Sequence, residues 1–261
     1  MAKKTTATSI LQQVETDLKA FLSQHQQLIF NERELQLRIA QFLMNTGCYS
    51  NVYLEYMLPV SVFPTNAHKY LASTNSSLMR LDIVVESDGD YVPIELKFKT
   101  TELSQNAALP RFGNPNFNIN LTNQGAQDLG RYDFWRDVKR LEEVKNLFPA
   151  VKGGIALFVT NDISYTKDPH ATSNTHNFSL CHGITWRDKN WRNNQTATAK
   201  GRPDIAFSGQ YPILPWTIAN IGRLNNGSNV TPFLITHILF SKYEYIPQSI
   251  IRFGNINCQL H

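Results

Sequence analysis

With 261 residues and a formal net charge of +4, the chain is long enough for one large α/β domain and too weakly basic to demand a nucleic-acid partner. Hydrophobic residues make up 42%, with 15 Phe, 10 Tyr and 4 Trp, which excludes a disordered chain and supports a sizeable core. No run of about 18 apolar residues exists, so no membrane partner is expected, and the scattered Cys48, Cys181 and Cys258 give neither zinc spacing nor a disulfide framework.

The basic start Met1-Ala2-Lys3-Lys4 leads into an amphipathic segment rather than a signal-peptide core, so the expected location is cytoplasmic. Ile10, Leu11, Val14, Leu18, Phe21 and Leu22 recur at helical spacing and predict a helix over 9–25. A second helix is predicted from Asn31, an N-cap residue with Glu34 as its capping-box partner, to Gly47. Leu35, Ile39, Phe42 and Leu43 form its apolar face. Glu32 lies on the same stripe as Leu35 and Ile39, pointing towards a sheet; the plainer reading is a first-turn carboxylate favoured by the helix dipole. Residues 51–60 alternate as a first strand, with Glu55 expected towards solvent, and 61–79 read as an insertion rich in Ser, Thr and Asn.

Residues 80–99 carry the most information. Two apolar, β-branched runs flank Asp88-Gly89, the signature of a two-residue hairpin turn. That turn sets Asp82 opposite Glu95, so Asp82, Glu95 and Lys97 share one face and Leu81, Ile83, Val85, Ile94, Leu96 and Phe98 the other. Opposed carboxylates repel, and a hard divalent cation removes that penalty. Mg²⁺ suits such a pair because it takes only one or two carboxylates and keeps several waters; Mn²⁺ is an expected substitute. A metal held there can polarise a phosphoryl oxygen, and the Lys97 ammonium can orient water or offset developing charge. The same three side chains would also suit a solvated strand face.

Downstream, 100–122 reads as a long Asn-, Pro- and Gly-containing loop. A helix is predicted over 124–148, with Leu129, Phe134, Val138, Leu141, Val144 and Phe148 on one face. Its charges of mixed sign favour a salt-bridged, solvated surface over a phosphate-binding stripe. Residues 153–160 form a buried strand, and 203–208 and 233–246 read as further strands. Between them, Arg187, Lys189, Trp191 and Arg192 interleave basic and aromatic residues. These could contact phosphates and stack on bases, or belong to a hairpin whose Trp residues pack inside while the basic side chains snorkel. Pro203-Asp204 before an apolar segment repeats part of the hairpin pattern, but no Glu-x-Lys follows it, so Asp204 reads as the opening of a structural strand.

A helical Glu, then Asp82 in a strand, then Glu95-Leu96-Lys97 on the next strand resembles the PD-(D/E)xK nuclease superfamily of the restriction-endonuclease-like fold. Leu81 stands where the name-giving proline would be. The resemblance implies an α/β fold with a central mixed sheet flanked by helices and an α-β-β-β-α-β core over about 30–160. Residues 161–261 would be a β-rich elaboration within the same 1–261 domain. It implies a Mg²⁺-dependent nuclease, with DNA the expected substrate, in which Asp82, Glu95 and the Leu96 carbonyl hold the metal. Lys97 positions or helps deprotonate the attacking water, and Glu32 completes the acidic cluster. Glu32 also opens its helix with Arg33, as in the Holliday-junction resolvases of that superfamily. A homodimer would suit double-strand cutting but has no sequence signature here. The alternative is a catalytically silent nucleic-acid-binding protein of the same fold.

Overall fold

The structure, a computed structural model, describes residues 9–25, 27–71, 76–102, 121–183, 188–221 and 233–240. The first helix, α1 (Ile10–Gln24), starts where Ser9 and Gln12 close a reciprocal capping box, and it buries Leu11, Val14, Leu18, Phe21 and Leu22. The second, α2 (Glu32–Asn45), is capped by Asn31, whose side chain accepts from the Glu34 N–H at 2.9 Å. Glu34 in turn accepts from the Phe30 N–H, so its carboxylate is committed to the helix start. Strand β1 (Asn51–Pro59) follows, then a short helix α3 (His68–Leu71) inside the expected insertion.

The hairpin is present: β2 (Leu78–Ser87) and β3 (Asp90–Lys99) pair antiparallel, with Ser87 opposite Asp90 and Ile83 opposite Ile94. Asp88 and Gly89 both have positive φ, 54° and 79°, which matches the right-handed twist of the strands they join. The long helix α4 (Gln127–Leu147) then crosses over to β4 (Gly154–Thr160), which pairs parallel to β3 and is buried throughout. Short strands β5 (Asp188–Lys189) and β6 (Ile205–Ala206) make a separate pair. β7 (Thr217–Ala219) and β8 (Phe233–Phe240) complete a six-stranded mixed sheet in the order β1-β2-β3-β4-β8-β7. The expected α/β class with a central mixed sheet is therefore found. Among the described residues, no helix is long and apolar enough to cross a membrane.

Two apolar layers cover the sheet. α1 and α2 pack on the face carrying Ile83, Val85, Ile94, Leu96 and Phe98. On the other face, Phe134, Val138, Leu141 and Val144 of α4 meet Val84, Ala156 and Phe158. Side chains from the later part of the chain, including Phe178, Leu180, Trp191, Phe207 and Trp216, join the α4 layer rather than forming a core of their own. One carboxylate on α4 ties this region down: fully buried Glu142 accepts from the Ser208 N–H and hydroxyl, the Gly209 N–H and the Tyr211 hydroxyl, and pairs with Lys139 at 2.6 Å.

Several expectations need correction. The charges of α4 are salt-bridged as expected, but four of them, Arg131, Asp137, Lys139 and Glu142, are buried rather than solvated. Lys189 and Trp191, read as candidate nucleic-acid contacts, are core residues. Trp191 stacks on Tyr132 with ring centroids 5.2 Å apart, and Lys189 is wholly buried. Both are withdrawn from any surface contact because nothing outside the chain can reach them. Arg192 stays exposed, with its guanidinium donating to the Ala171 carbonyl. Arg187, most of the loop over 100–122 and the end of the strand read over 233–246 lie outside the described residues. Cys48 carries a free, exposed thiol.

Lys189 is energetically unusual. Its Nζ has no hydrogen-bond partner and stands 3.8 Å from the centroid of the Trp135 ring. Burial pulls its ammonium down to about 7. A folded-state value below that of the unfolded chain penalises folding wherever the unfolded lysine is charged, and the penalty fades as pH rises towards 10. Lys189→Met, which keeps length and removes charge, is therefore expected to stabilise the chain at pH 7 by on the order of 3 kcal/mol. In denaturant melts the gap from the parent should narrow by pH 10. A destabilised or pH-independent variant would contradict the assignment of a poorly solvated lysine.

Candidate functional site

The site begins at a paired irregularity in β1 and β2. Their register is continuous on both sides, with Leu54 opposite Ile83 and Tyr56 opposite Leu81, but Glu55 and Asp82 between them do not pair. Glu55 has φ 50°, a left-handed conformation rare for a residue with a side chain. Its exposed carboxylate accepts from Gln36 of α2, as does the Asp82 backbone carbonyl at 2.6 Å. Gln36 thus supplies the hydrogen bond that the broken ladder leaves open.

The kink changes which way the side chains point. Ile83 and Val85 face α1 and α2, but Leu81 and Met79 join the α4 layer. The expectation that Leu81 shares a face with Ile83 therefore fails, because strict alternation does not survive the irregular pair. Asp82 sits at the crossover, and its carboxylate reaches the backbone of β3. The β2–β3 ladder ends at Ile83 and Ile94, so Asp82 is level with Glu95 but the strands have parted there.

Carboxylates fill that gap. The Leu96 N–H donates to Asp82 Oδ2 at 2.7 Å, and the Phe98 N–H donates to Glu32 Oε2 at 2.9 Å. These are successive N–H groups on the β2 side of β3, so the Leu96 carbonyl points to the same edge. Glu32, at the first turn of α2, reaches the sheet from the helix start, whereas Glu34 is used in the cap. Glu95 and Lys97, on odd positions of β3, project instead towards α4.

There they meet residues that the sequence reading did not select. Lys97 Nζ is 2.9 Å from Asp137 Oδ2, and Arg140 Nη1 is 3.1 Å from Glu95 Oε1 and 3.2 Å from Asp137 Oδ1. The Arg140 contact with Glu95 is close but is not a hydrogen bond, which leaves Glu95 Oε1 without a partner, and Arg140 Nε also has none. Arg140 also donates to the Arg80 carbonyl. Asp133, Asp137 and Arg140 recur at helical spacing on one stripe of α4, and that spacing was the available signal.

Electrostatics follow from burial and crowding. Asp82 is pushed up to about 6, chiefly by burial and then by the negative charge of Asp137, against the opposing Leu96 N–H. Glu95 is raised well above the ordinary glutamate value by burial, which Arg140 only partly offsets. Burial also works against the Lys97 ammonium, but Asp137 and Glu32 outweigh it and hold the lysine charged beyond its usual range. Asp137 moves down, because Lys97 and Arg140 overcome its own burial.

Among the described residues, no group of three or more His, Cys, Asp or Glu side chains stands gathered as a metal cage. The donors present nevertheless fit a hard divalent cation. Asp82 and Glu95 are oxygen donors whose charged forms are disfavoured without added positive charge, Glu95 Oε1 is a buried acceptor with no hydrogen bond, and Mg²⁺ needs only one or two carboxylates. No family model matches the chain, and neither the curated proteins nor the solved structures contain a match to it.

The raised Asp82 carries a stability consequence. Its folded-state value lies above the ordinary aspartate value of 3.8, so the charged form destabilises the fold above about pH 6 and the penalty vanishes as pH falls towards 4. Asp82→Asn keeps an acceptor for the Leu96 N–H. In chelator it is expected to stabilise the chain at pH 7.5 by about 1–2 kcal/mol, with the gap closing near pH 4 in denaturant melts. A destabilised variant at pH 7.5 would contradict this electrostatic account.

Proposed function

We propose that the chain is a metal-dependent nuclease of the PD-(D/E)xK type, hydrolysing phosphodiester bonds with DNA as its substrate. The observation that carries the reading is the convergence of Asp82, Glu95 and Glu32 with Lys97 where β2 and β3 part. The order α2, β1, β2, β3, α4, β4, with the short α3 inserted between β1 and β2, supports the restriction-endonuclease-like core that the reading requires. Asp82, Glu95 and the Leu96 carbonyl would hold Mg²⁺ or Mn²⁺. Such a cation supplies Lewis acidity, polarising a phosphoryl oxygen and making water a stronger acid.

The chain's own residues then have distinct tasks. Lys97, held charged by Asp137, is a poor base; its role is to orient the attacking water and offset negative charge that grows on the phosphate. Glu32 stays fixed by the Phe98 N–H and adds negative charge beside Asp82. Asp137 and Arg140 are positioning residues: one fixes Lys97, the other stands beside Glu95.

Arg140 also supports a second reading. A guanidinium 3.1 Å from Glu95 supplies positive charge where a metal would, as suits a nucleic-acid-binding protein that does not cut. Cleavage separates the two. Purified chain incubated with plasmid, linear duplex, single-stranded DNA and RNA is expected to cut DNA with Mg²⁺ and not in chelator. Lys97→Ala and Asp82→Asn should each lower the rate by at least about 100-fold, in keeping with loss of a transition-state charge partner. Binding without cutting would favour the silent reading, and undiminished cutting by both variants would sink the site assignment.

A further inference from the structure

An open cleft of about 1030 Å³ lies between α3, one side of α4 and the loop over 194–204. Lys69, Arg136, Lys200 and Arg202 line it against a single carboxylate, Asp204. Four cations and one anion thus place three of the chain's four excess positive charges on one concave surface. Elsewhere on α4 the chain neutralises its cations: Lys139 pairs with Glu142 and Glu143, and Arg140 with Asp137 and Glu95. None of the four cleft cations has an ion-pair partner among the described residues.

The cleft is also firmly framed. The Tyr70 and Tyr132 hydroxyls donate to the Asp204 and Pro203 carbonyls at 2.8 and 3.0 Å, and Asp204 Oδ1 accepts from the Trp191 N–H at 2.9 Å. Arg202 is steadied by donation to the Thr198 carbonyl at 2.7 Å. Arg202, steadied in this way, loses less freedom on meeting an anion than a free side chain would. Position matters as well. Tyr132 and Arg136 line the cleft, while Asp133, one residue on, feels the charges of both Arg136 and Lys97. The cleft thus uses the stripe of α4 next to the one that carries Asp137 and Arg140 of the carboxylate site.

We propose that this cleft is the track for the phosphodiester backbone of the nucleic acid, gripping phosphates without reading bases. The proposal rests on the nuclease reading for the identity of its ligand, but not on cleavage. Its test is fluorescence anisotropy in chelator, with the full chain and labelled DNA duplex, single-stranded DNA and single-stranded RNA of about 20 nucleotides per strand. Lys69→Glu/Lys200→Glu alters two exposed side chains and should fold normally. It is expected to weaken binding at least about tenfold near 0.1 M salt. It should also flatten the plot of log affinity against log salt by about 0.9 per lost contact on duplex, or about 0.7 on single strands. Arg202→Gln should lower the slope by about one contact. Lys19→Glu/Lys152→Glu, also exposed but outside the cleft, should change neither quantity. No binding to any of the three probes, an unchanged slope in the cleft variants, or an equal loss in the control would overturn it. A chain that binds in this way but does not cut would disprove the nuclease reading and leave the track intact.

Discussion

Two N–H groups of β3, at Leu96 and Phe98, are satisfied by carboxylates instead of by a neighbouring strand. A strand buried on both faces cannot leave such donors empty, since each unpaired group costs about 1–3 kcal/mol. Asp82 and Glu32 supply the acceptors, and in doing so β2 is freed to part from β3. The irregular pair at Glu55 and Asp82 and the Gln36 amide that bridges it are the local accommodations to that parting. The gap between the strands, the place where the sheet could admit a phosphate or a cation, is made by the residues that would use it.

The second constraint is charge. Crowding Asp82, Glu95 and Glu32 around the end of the β2–β3 ladder would be unfavourable without cations, and on the Glu95 side α4 brings Arg140 and sets Asp137 against Lys97. The balance is incomplete: Asp82 and Glu95 remain raised, and Glu95 Oε1 remains without a hydrogen bond. Sites that retain such disfavoured charges are where added positive charge binds with most effect. The same helix turns its neighbouring stripe, with Arg136, towards the unpaired cations of the cleft, so α4 separates an anionic site from a cationic surface.

Much of this arrangement was legible in the sequence, for identifiable reasons. Asp88-Gly89 set the hairpin register because only a tight turn with positive φ joins those strands without splaying them. Glu34 announced itself as a cap partner, which left Glu32 for the sheet. The face of Leu81 was not legible, since alternation assumes a regular pleat and the left-handed Glu55 breaks it. Asp137 and Arg140 looked like ordinary surface charges because their partners, Lys97 and Glu95, lie in a distant part of the chain. Lys189 and Trp191 misled for a related reason: a basic–aromatic pattern reads the same whether its rings stack on bases or on Tyr132 and Phe178.

The central claim is that Asp82 and Glu95 form a cation site whose empty state is electrostatically unfavourable. Calorimetric titration of the chain with Mg²⁺ at pH 7.5, before and after Asp82→Asn, tests it most directly. The expected result is saturable uptake by the parent chain and its loss in the variant. Absence of uptake, or uptake that survives Asp82→Asn undiminished, would contradict the account.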